Sequence, residues 1–391
     1  MSPGERAHDL IVFGATGFTG GMTAEYLAKH APPSLRWAIA GRSRQKLAAV
    51  KARLVAIDPA AERVALVEAD VNDAASLAAM AASARVVLTT VGPFIDFGEP
   101  LVRACVEAGT DYVDSTGEPH FGRLVVARYH EEAKRRGVRL VSSCGFDSIP
   151  ADLGVLFTVL QLPAGKPVAV EGYMSVRGTF SGGTERSAIK SLAPPPQALA
   201  APALPQGPLA NGRVVRLEKP KVHRRPELGG WVGPLETIDA PVVQRSARTL
   251  ERYGPDFRYA HGALHPSLGV LLAAFVVFGT LAFLVRIAFV RELLLKAVKK
   301  PGQGPTAEQM DRGWFKMRFF ARAGDETVTT EVSGGDPGYR ETSKMLAESA
   351  LCLILDRDRL PERAGALTPA ESMGELLIDR LRDKGLKFSV L

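Results

Sequence analysis

The run Gly14-Ala15-Thr16-Gly17-Phe18-Thr19-Gly20 constrains this chain more than any other feature. It follows the apolar segment Asp9–Phe13 without a spacer and opens a helical pattern, the context in which glycines at this spacing serve a dinucleotide. Gly14 permits a tight turn, Gly17 lets backbone approach a pyrophosphate, and Gly20 lets the helix pack close to the strand. Free N–H groups at the positive end of that helix would hold the diphosphate, with Thr16, Phe18 and Thr19 in the same turn. A glycine-rich strand-to-helix turn with no ligand is the competing reading.

The residues that follow extend the pattern. Strand-like runs at Asp9–Phe13, Trp37–Ala40, Val64–Glu68, Val86–Thr90, Tyr112–Asp114 and Val138–Ser142 alternate with amphipathic stretches such as Leu101–Ala108 and Leu124–Arg136. That alternation implies strand and crossover-helix units, hence a parallel sheet. The expected fold is α/β, with a Rossmann-type, doubly wound domain over residues 1–150 and a second α/β domain over 151–391. In the second part, Val168–Val176, Phe315–Ala321 and Thr327–Val332 read as strands, and Tyr339–Leu355 and Pro369–Lys384 as helices that pack back on the first domain. Thr368, Pro369 and Glu371 form a helix-start signal. The proline-rich stretch 194–212 reads as a loop, because proline lacks the backbone donor that helix or central strand needs.

At the end of the second strand, where an acid usually holds the ribose hydroxyls of NAD, the chain has Ala40-Gly41-Arg42-Ser43. Arg42 and Ser43 suit a 2′-phosphate, so the expected cofactor is NADP(H). Asp70, closing the third strand, is suited to the adenine amino group or to capping the next helix. Gly92, Pro93 and Phe94 leave the fourth strand at its carboxyl end, where ligands sit in such sheets.

The densest polar groups lie at Tyr112–His120 and Cys144–Pro150. Hydride transfer from a nicotinamide needs a group that polarises or protonates the acceptor. Asp147 and Tyr112 are the catalytic candidates, with Asp114, Glu118 and His120 also within the motif. The structural alternatives are a helix cap for Asp147, a sheet brace for Asp114 and a helix-entry group for His120. Cys144 is expected to be a small apolar neighbour of the nicotinamide. The Tyr-x-x-x-Lys spacing of a short-chain dehydrogenase is missed by one residue at Tyr129/Lys134 and Tyr339/Lys344.

Taken together, GATGFTG (Gly14–Gly20), AGRS (Ala40–Ser43), VGPF (Val91–Phe94), DYVDSTGE (Asp111–Glu118), CGFDSIPADLG (Cys144–Gly154), SGGT (Ser181–Thr184), GGDPGY (Gly334–Tyr339) and LTPAESMGELLIDRL (Leu367–Leu381) resemble the saccharopine dehydrogenase-like oxidoreductases. The nearest branch includes the trans-acting enoyl reductases of glycolipid biosynthesis. The resemblance implies hydride transfer from NADPH, and in that branch reduction of a carbon–carbon double bond in a polyketide-derived lipid intermediate. Saccharopine is not implied as substrate, because no Arg or Lys cluster for its carboxylates accompanies the motifs.

Only the stretch from about Leu192 to Arg312 is poorly covered by the resemblance. Leu268–Val285 carries no charge, and as a helix it would extend about 27 Å, close to a bilayer's hydrocarbon thickness. A single crossing would separate the first domain from the C-terminal motifs, so a simple span is not expected. Gly279-Thr280 suggests a break. Beyond it Arg286, Arg291, Lys296, Lys299 and Lys300 face only Glu292. Segment 266–300 therefore reads as an element for shallow insertion at an anionic membrane surface, with a buried homodimer or domain-core helix pair as the alternative. The expected partners are that surface and a lipid or acyl-chain substrate, free or carrier-bound.

A net charge of +7 without interleaved aromatics argues against nucleic acid. The three cysteines, odd in number and far apart, argue against disulfides and a cysteine metal site; no metal is expected. The polar leader before Asp9 leaves no room for a signal peptide, so the expected setting is cytoplasmic, peripherally bound to the plasma membrane. A non-catalytic NADP-binding protein on membranes or lipid droplets is the rival function.

Overall fold

The computed structural model describes residues 6–179, 181–193, 207–298 and 304–391. Its strands are β1 (His8–Phe13), β2 (Trp37–Gly41), β3 (Ala65–Glu68), β4 (Ala84–Thr89), β5 (Asp111–Asp114), β6 (Arg139–Val141), β7 (Val168–Arg177), β8 (Val214–Glu218), β9 (His223–Arg225), β10 (Gly230–Pro234), β11 (Asp256–His265), β12 (Trp314–Ala323), β13 (Glu326–Gly334), β14 (Gly365–Leu367) and β15 (Lys387–Val390). They form two sheets. The first has seven strands in the order β14-β6-β5-β4-β1-β2-β3, all parallel.

Strand β1 shows why that sheet is buried on both sides. Alternate residues point to opposite faces, and both sets here are apolar, as a parallel strand requires. Leu10 and Val12 join Leu27, Leu47 and Leu54 on one face, whereas Ile11 and Phe13 join Leu77, Leu101 and Phe121 on the other. Helices Ala74–Ser83, Phe94–Ala108 and Pro119–Arg135 supply the second face. The first is covered by Phe18–His30, Arg44–Ile57 and a helix from far along the chain, Thr342–Leu355, which lies over β1, β4 and β5. Its Glu348 is fully buried, accepting from Tyr26 Oη at 2.8 Å and from Arg380 at 2.7 and 3.0 Å.

The sequence pattern leads to six strands in the first sheet, and the seventh, β14, is added at the edge by residues 365–367. The helical stretch expected over Pro369–Lys384 is two helices, Pro369–Ser372 and Gly374–Asp383, divided at Gly374 with its φ of 53°. Thr368 and Glu371 do form a capping box at its start.

The second sheet runs β15-β13-β12-β7-β11-β10-β9, with β8 beside β11. Helix Ile149–Leu160 packs under it and is buried from Ile149 through Val159. Gly154 makes this possible, because a Cβ there would lie 2.5 Å from the Phe319 ring.

Leu268–Leu284 is one helix, unbroken at Gly279, and the bend comes later, where a second helix, Ala288–Ala297, departs at 114°. Among the described residues no single helix is long and apolar enough to cross a membrane. A domain-core pair is not what forms. Leu271 is the one buried residue of the first helix, whereas Val276, Val277, Phe283 and Phe289 are each about two-thirds or more exposed. Residues 194–206 of the proline-rich stretch, and Lys299 and Lys300, lie outside the described residues; 207–212 end in a turn leading to β8.

Candidate functional site

Parallel pairing sends the carboxyl ends of β1, β2, β4, β5 and β6 to the same edge of the first sheet, so the loops after them share one crevice. Gly14 has φ 92° there, and a Cβ on it would lie 2.8 Å from Val91 Cγ2. Gly17 is exposed at the N-cap of helix Phe18–His30 and offers no side-chain cap. The first-turn N–H groups are thus left for a ligand, and no acidic side chain stands in that turn to repel an anion. Thr16 is exposed beside them. Phe18 packs edge-on against Tyr339 at 4.9 Å, and the Thr19 carbonyl accepts from Thr23 at 2.9 Å. This cradle fits a diphosphate.

Arg42 is exposed at the next strand end, and no hydrogen bond or ion pair occupies it among the described residues. Its guanidinium is available for a phosphate. Ser43 caps helix Arg44–Ile57 by accepting from the Lys46 N–H at 3.4 Å. Asp70 does not cap the helix after it. Its Oδ1 accepts from the Asn72 backbone at 2.9 Å, and Asp73 is the cap, accepting from Ala75 and Ser76. Gly92 is exposed and Pro93 buried, and the Phe94 ring turns into the core, 5.7 Å from Phe121.

Three further residues sit differently from the sequence expectation, and Asp114 takes the bracing role that the sequence offered as its alternative. Tyr112 is fully buried in the centre of the sheet, on the face covered by helices Phe94–Ala108 and Pro119–Arg135. Burial, with Asp114 nearby, pushes its phenol well above the usual range, so it is a core residue without access to the crevice. Cys144 is fully buried on the opposite face among residues of helix Thr342–Leu355, with its Sγ 3.5 Å from the Val141 carbonyl. It does not border the crevice, and burial raises its thiol far above the reactive range. The Glu118 carboxylate caps helix Phe94–Ala108, accepting from Phe94 N and Ile95 N at 2.9 Å each. Asp114 braces the loops, accepting from Thr116 N and Ser143 N at 2.9 Å each.

Asp147 remains in the crevice. Its carboxyl lies against Gly117, where a Cβ would come within 2.7 Å of Oδ2. It caps no helix: helix Ile149–Leu160 starts from Ser148, again without a side-chain cap. Solvent reaches Asp147, yet the protein around it pushes the carboxyl up to about 7, and the charge of Asp239 adds to this. The loop carrying it is strained. Ser143 (φ 65°) and Ser148 (φ 120°) both hold backbone conformations that side chains disfavour, a form of strain that clusters at functional sites.

Helix Gly182–Leu192 and the start of helix Thr342–Leu355 border the other side. Phe146 N donates to Thr342 Oγ1 at 3.0 Å, Thr184 Oγ1 lies 3.2 Å from Tyr339 Oη, and Lys190 pairs with Asp96. Thr342 and Tyr339 are not legible as site residues, since each gains its place through contacts more than 150 positions away in the chain.

Residues 10–141 match the family model of the saccharopine dehydrogenase NADP binding domain. The sequence is 36% identical over 424 residues to a trans-acting enoyl reductase of Mycobacterium tuberculosis, covering 99% of this chain and 98% of the relative. It is 33% identical over 439 residues to the saccharopine dehydrogenase-like oxidoreductase of Bos taurus, covering 100% and 99%. Its fold is similar to that of the solved saccharopine dehydrogenase (L-Glu forming) of Saccharomyces cerevisiae, with a TM-score of 0.55 and 14% identity over 98% of this chain and 100% of the other.

Proposed function

The chain belongs to the saccharopine dehydrogenase-like oxidoreductases, in the branch of the trans-acting enoyl reductases, and we propose that it reduces a carbon–carbon double bond in a lipid or polyketide-derived acyl intermediate. Its first sheet is the NADP-binding domain. When bound, NADPH supplies the hydride that an enoyl acceptor takes at its β-carbon.

The chain's own residues have two tasks. Gly14, Gly17 and Gly20 admit the diphosphate to the helix N-terminus, and Arg42 meets the 2′-phosphate. Asp147 then gives its proton to the acyl side as negative charge develops there and is left as a carboxylate. The observation that carries this reading is Asp147 itself, a crevice acid held near neutrality and bound to no capping duty. The test is oxidation of NADPH with N-acetylcysteamine thioesters of trans-2-dodecenoic and 3-oxododecanoic acids. Preference for the enoyl ester is expected; turnover of the oxo ester alone would replace this reading with carbonyl reduction.

The acyl assignment is supported by the exposed apolar faces of helices Leu268–Leu284 and Ala288–Ala297. We place segment 266–300 on an anionic, cytoplasmic membrane surface, near which a free or carrier-bound acyl chain would be taken up. Arg286 lies in the bend between these helices and Arg291 and Lys296 on the second, so cations adjoin the apolar side chains, the combination that favours shallow insertion. Flotation with anionic vesicles tests this; a stable homodimer that stays off the vesicles would assign the faces to a second copy instead.

A further inference from the structure

The opposite edge of the first sheet, where its strands begin, carries a cluster of cations that no part of the reduction uses. β5 starts at Asp111 and β6 at Arg139, and the turn Arg357–Arg359, which follows helix Thr342–Leu355, comes back to the same place. Asp111 is almost wholly buried there. It accepts from the Arg139 backbone N–H at 2.8 Å and pairs with the Arg357 guanidinium.

The Arg139 side chain is left with its charge. It is 5% exposed, and its Nε and Nη2 donate to the carbonyls of Arg363 and Pro361 at 2.9 and 2.7 Å, both neutral partners. Its Nη1 is buried without a hydrogen-bond partner, and no carboxylate pairs with the guanidinium among the described residues. A buried cation in that state is costly, because nothing of opposite charge replaces its lost hydration. Burial and the like charge of Arg357 hold it below its ordinary range, and Asp111 offsets only part of this.

Arg139 lines an open cleft of about 550 Å³, together with Lys134, Arg357 and Arg363. Two carboxylates also line it. Glu371 is engaged already, accepting from the Thr368 N–H at 2.7 Å and facing Arg245 at 3.9 Å, and Glu362 is exposed. Arg357 borders a second cleft as well, where Arg36 and Arg85 share the single carboxylate of Asp9 at 3.1 and 3.5 Å. Cations are therefore in excess on both sides of Arg357.

We propose that this cleft binds a small phosphate-bearing anion, held by Arg139 and Arg357 at its floor and by Lys134 and Arg363 at its rim. The guanidinium fork matches phosphate oxygens, and an excess of cations suits a group that approaches a dianion near neutral pH. A phosphoryl oxygen would accept from the Arg139 Nη1 that the protein leaves without a partner. The cleft has the size that small ligands occupy. It is separate from the cofactor crevice, which lies at the carboxyl ends of the same strands, and it does not rest on the reading of Asp147 as the acid. The segment from Arg357 to Arg363 joins helix Thr342–Leu355 to β14, so an anion there ties both to the start of β6.

The test is calorimetric titration of inorganic pyrophosphate into the full-length protein at low salt, saturated with NADPH so that the cofactor's own phosphate sites are filled. One saturable equivalent is expected, with a melting temperature that rises as the site fills. The rim variant, Lys134→Glu with Arg363→Glu, should weaken pyrophosphate at least roughly tenfold and keep NADPH affinity, the scale of one or two charged hydrogen bonds. Lys387→Glu with Arg322→Glu makes an equal change of charge at exposed positions of the second sheet and should leave the affinity within about twofold. Absence of saturable binding, or equal weakening by both double variants, would overturn the proposal. Arg139→Lys, which keeps the charge and removes Nη1, should weaken pyrophosphate by about fivefold or more, and an unchanged affinity would count against it. Should that variant fail to fold, the rim variant decides. Succinate bound as tightly as pyrophosphate would overturn the phosphate assignment. Flotation on phosphatidic acid vesicles that is lost in the rim variant, with no pyrophosphate bound by the unaltered protein, would give the cations to a lipid headgroup and overturn a soluble ligand.

Discussion

Thr90 Oγ1 lies where a side chain on Gly20 would have to go: a Cβ there would come within 2.6 Å of that oxygen and would collide with the carbonyl of Gly14. Helix, turn and fourth strand are locked at this point, whereas Gly17, three residues earlier, faces solvent. The two glycines should therefore fail in different ways. Gly20→Ala should lower the melting temperature by several degrees, consistent with overpacking of about 1–3 kcal/mol. Gly17→Ala should leave melting almost unchanged, since alanine at an N-cap costs about 1 kcal/mol or less relative to glycine, yet weaken NADPH binding at least tenfold. Calorimetry and a fluorescence titration of NADPH would separate the two effects.

Arg42 stands exposed at the end of β2, without a partner among the described residues. Arg42→Ala should raise the Kd for NADPH by roughly 10- to 100-fold, the scale of one or two charge-assisted hydrogen bonds, and leave that for NADH within about twofold. Equal weakening of both cofactors would remove the 2′-phosphate from its role.

Asp147→Asn should lower kcat on the dodecenoyl thioester by at least roughly 100-fold while NADPH binding is kept. In the unaltered enzyme the donor is the protonated acid, so kcat should be full below pH 7 and fall as pH rises through about 7. A flat profile from pH 5 to 9 would count against donation by this carboxyl.

Arg380 sits on the C-terminal helix with both its contacts to Glu348 within 3.0 Å, and Glu348 has no solvent exposure at all. Removing the cation strands a buried carboxylate. Arg380→Ala should cost about 3 kcal/mol in urea denaturation, and adding Glu348→Gln should recover part of that loss.

Replacing Val276, Phe283 and Phe289 by Lys alters only exposed positions, so stability should change little while flotation with the vesicles falls. Loss of a dimer peak in sedimentation, with flotation unaffected, would show that these side chains served a second copy.

Much of the first sheet was legible because its strands are apolar on both faces and its turns carry glycines with separate duties. The second sheet was less so. β11 (Asp256–His265) includes a Gly-Ala pair and charged residues that break alternation, and β9, β10 and β14 are too short to show a period. Within the site, motif density pointed correctly to the strand ends but not to the direction of each side chain. Tyr112 and Asp114 lie two apart on β5, and only the packing of both sheet faces reveals that neither meets the crevice. Asp239 and His261 look ordinary in sequence, and their 3.4 Å pairing exists only because the start of a helix and the middle of a strand meet.

Helix Thr342–Leu355 covers β1, β4 and β5, and β14 completes the sheet's edge, so the cofactor domain is finished by residues more than 200 positions beyond its sixth strand. Until they emerge, the apolar face formed by Val86, Leu88 and Val113 has no cover. A chain ending before Thr342 is therefore expected to leave that face bare and to aggregate rather than fold.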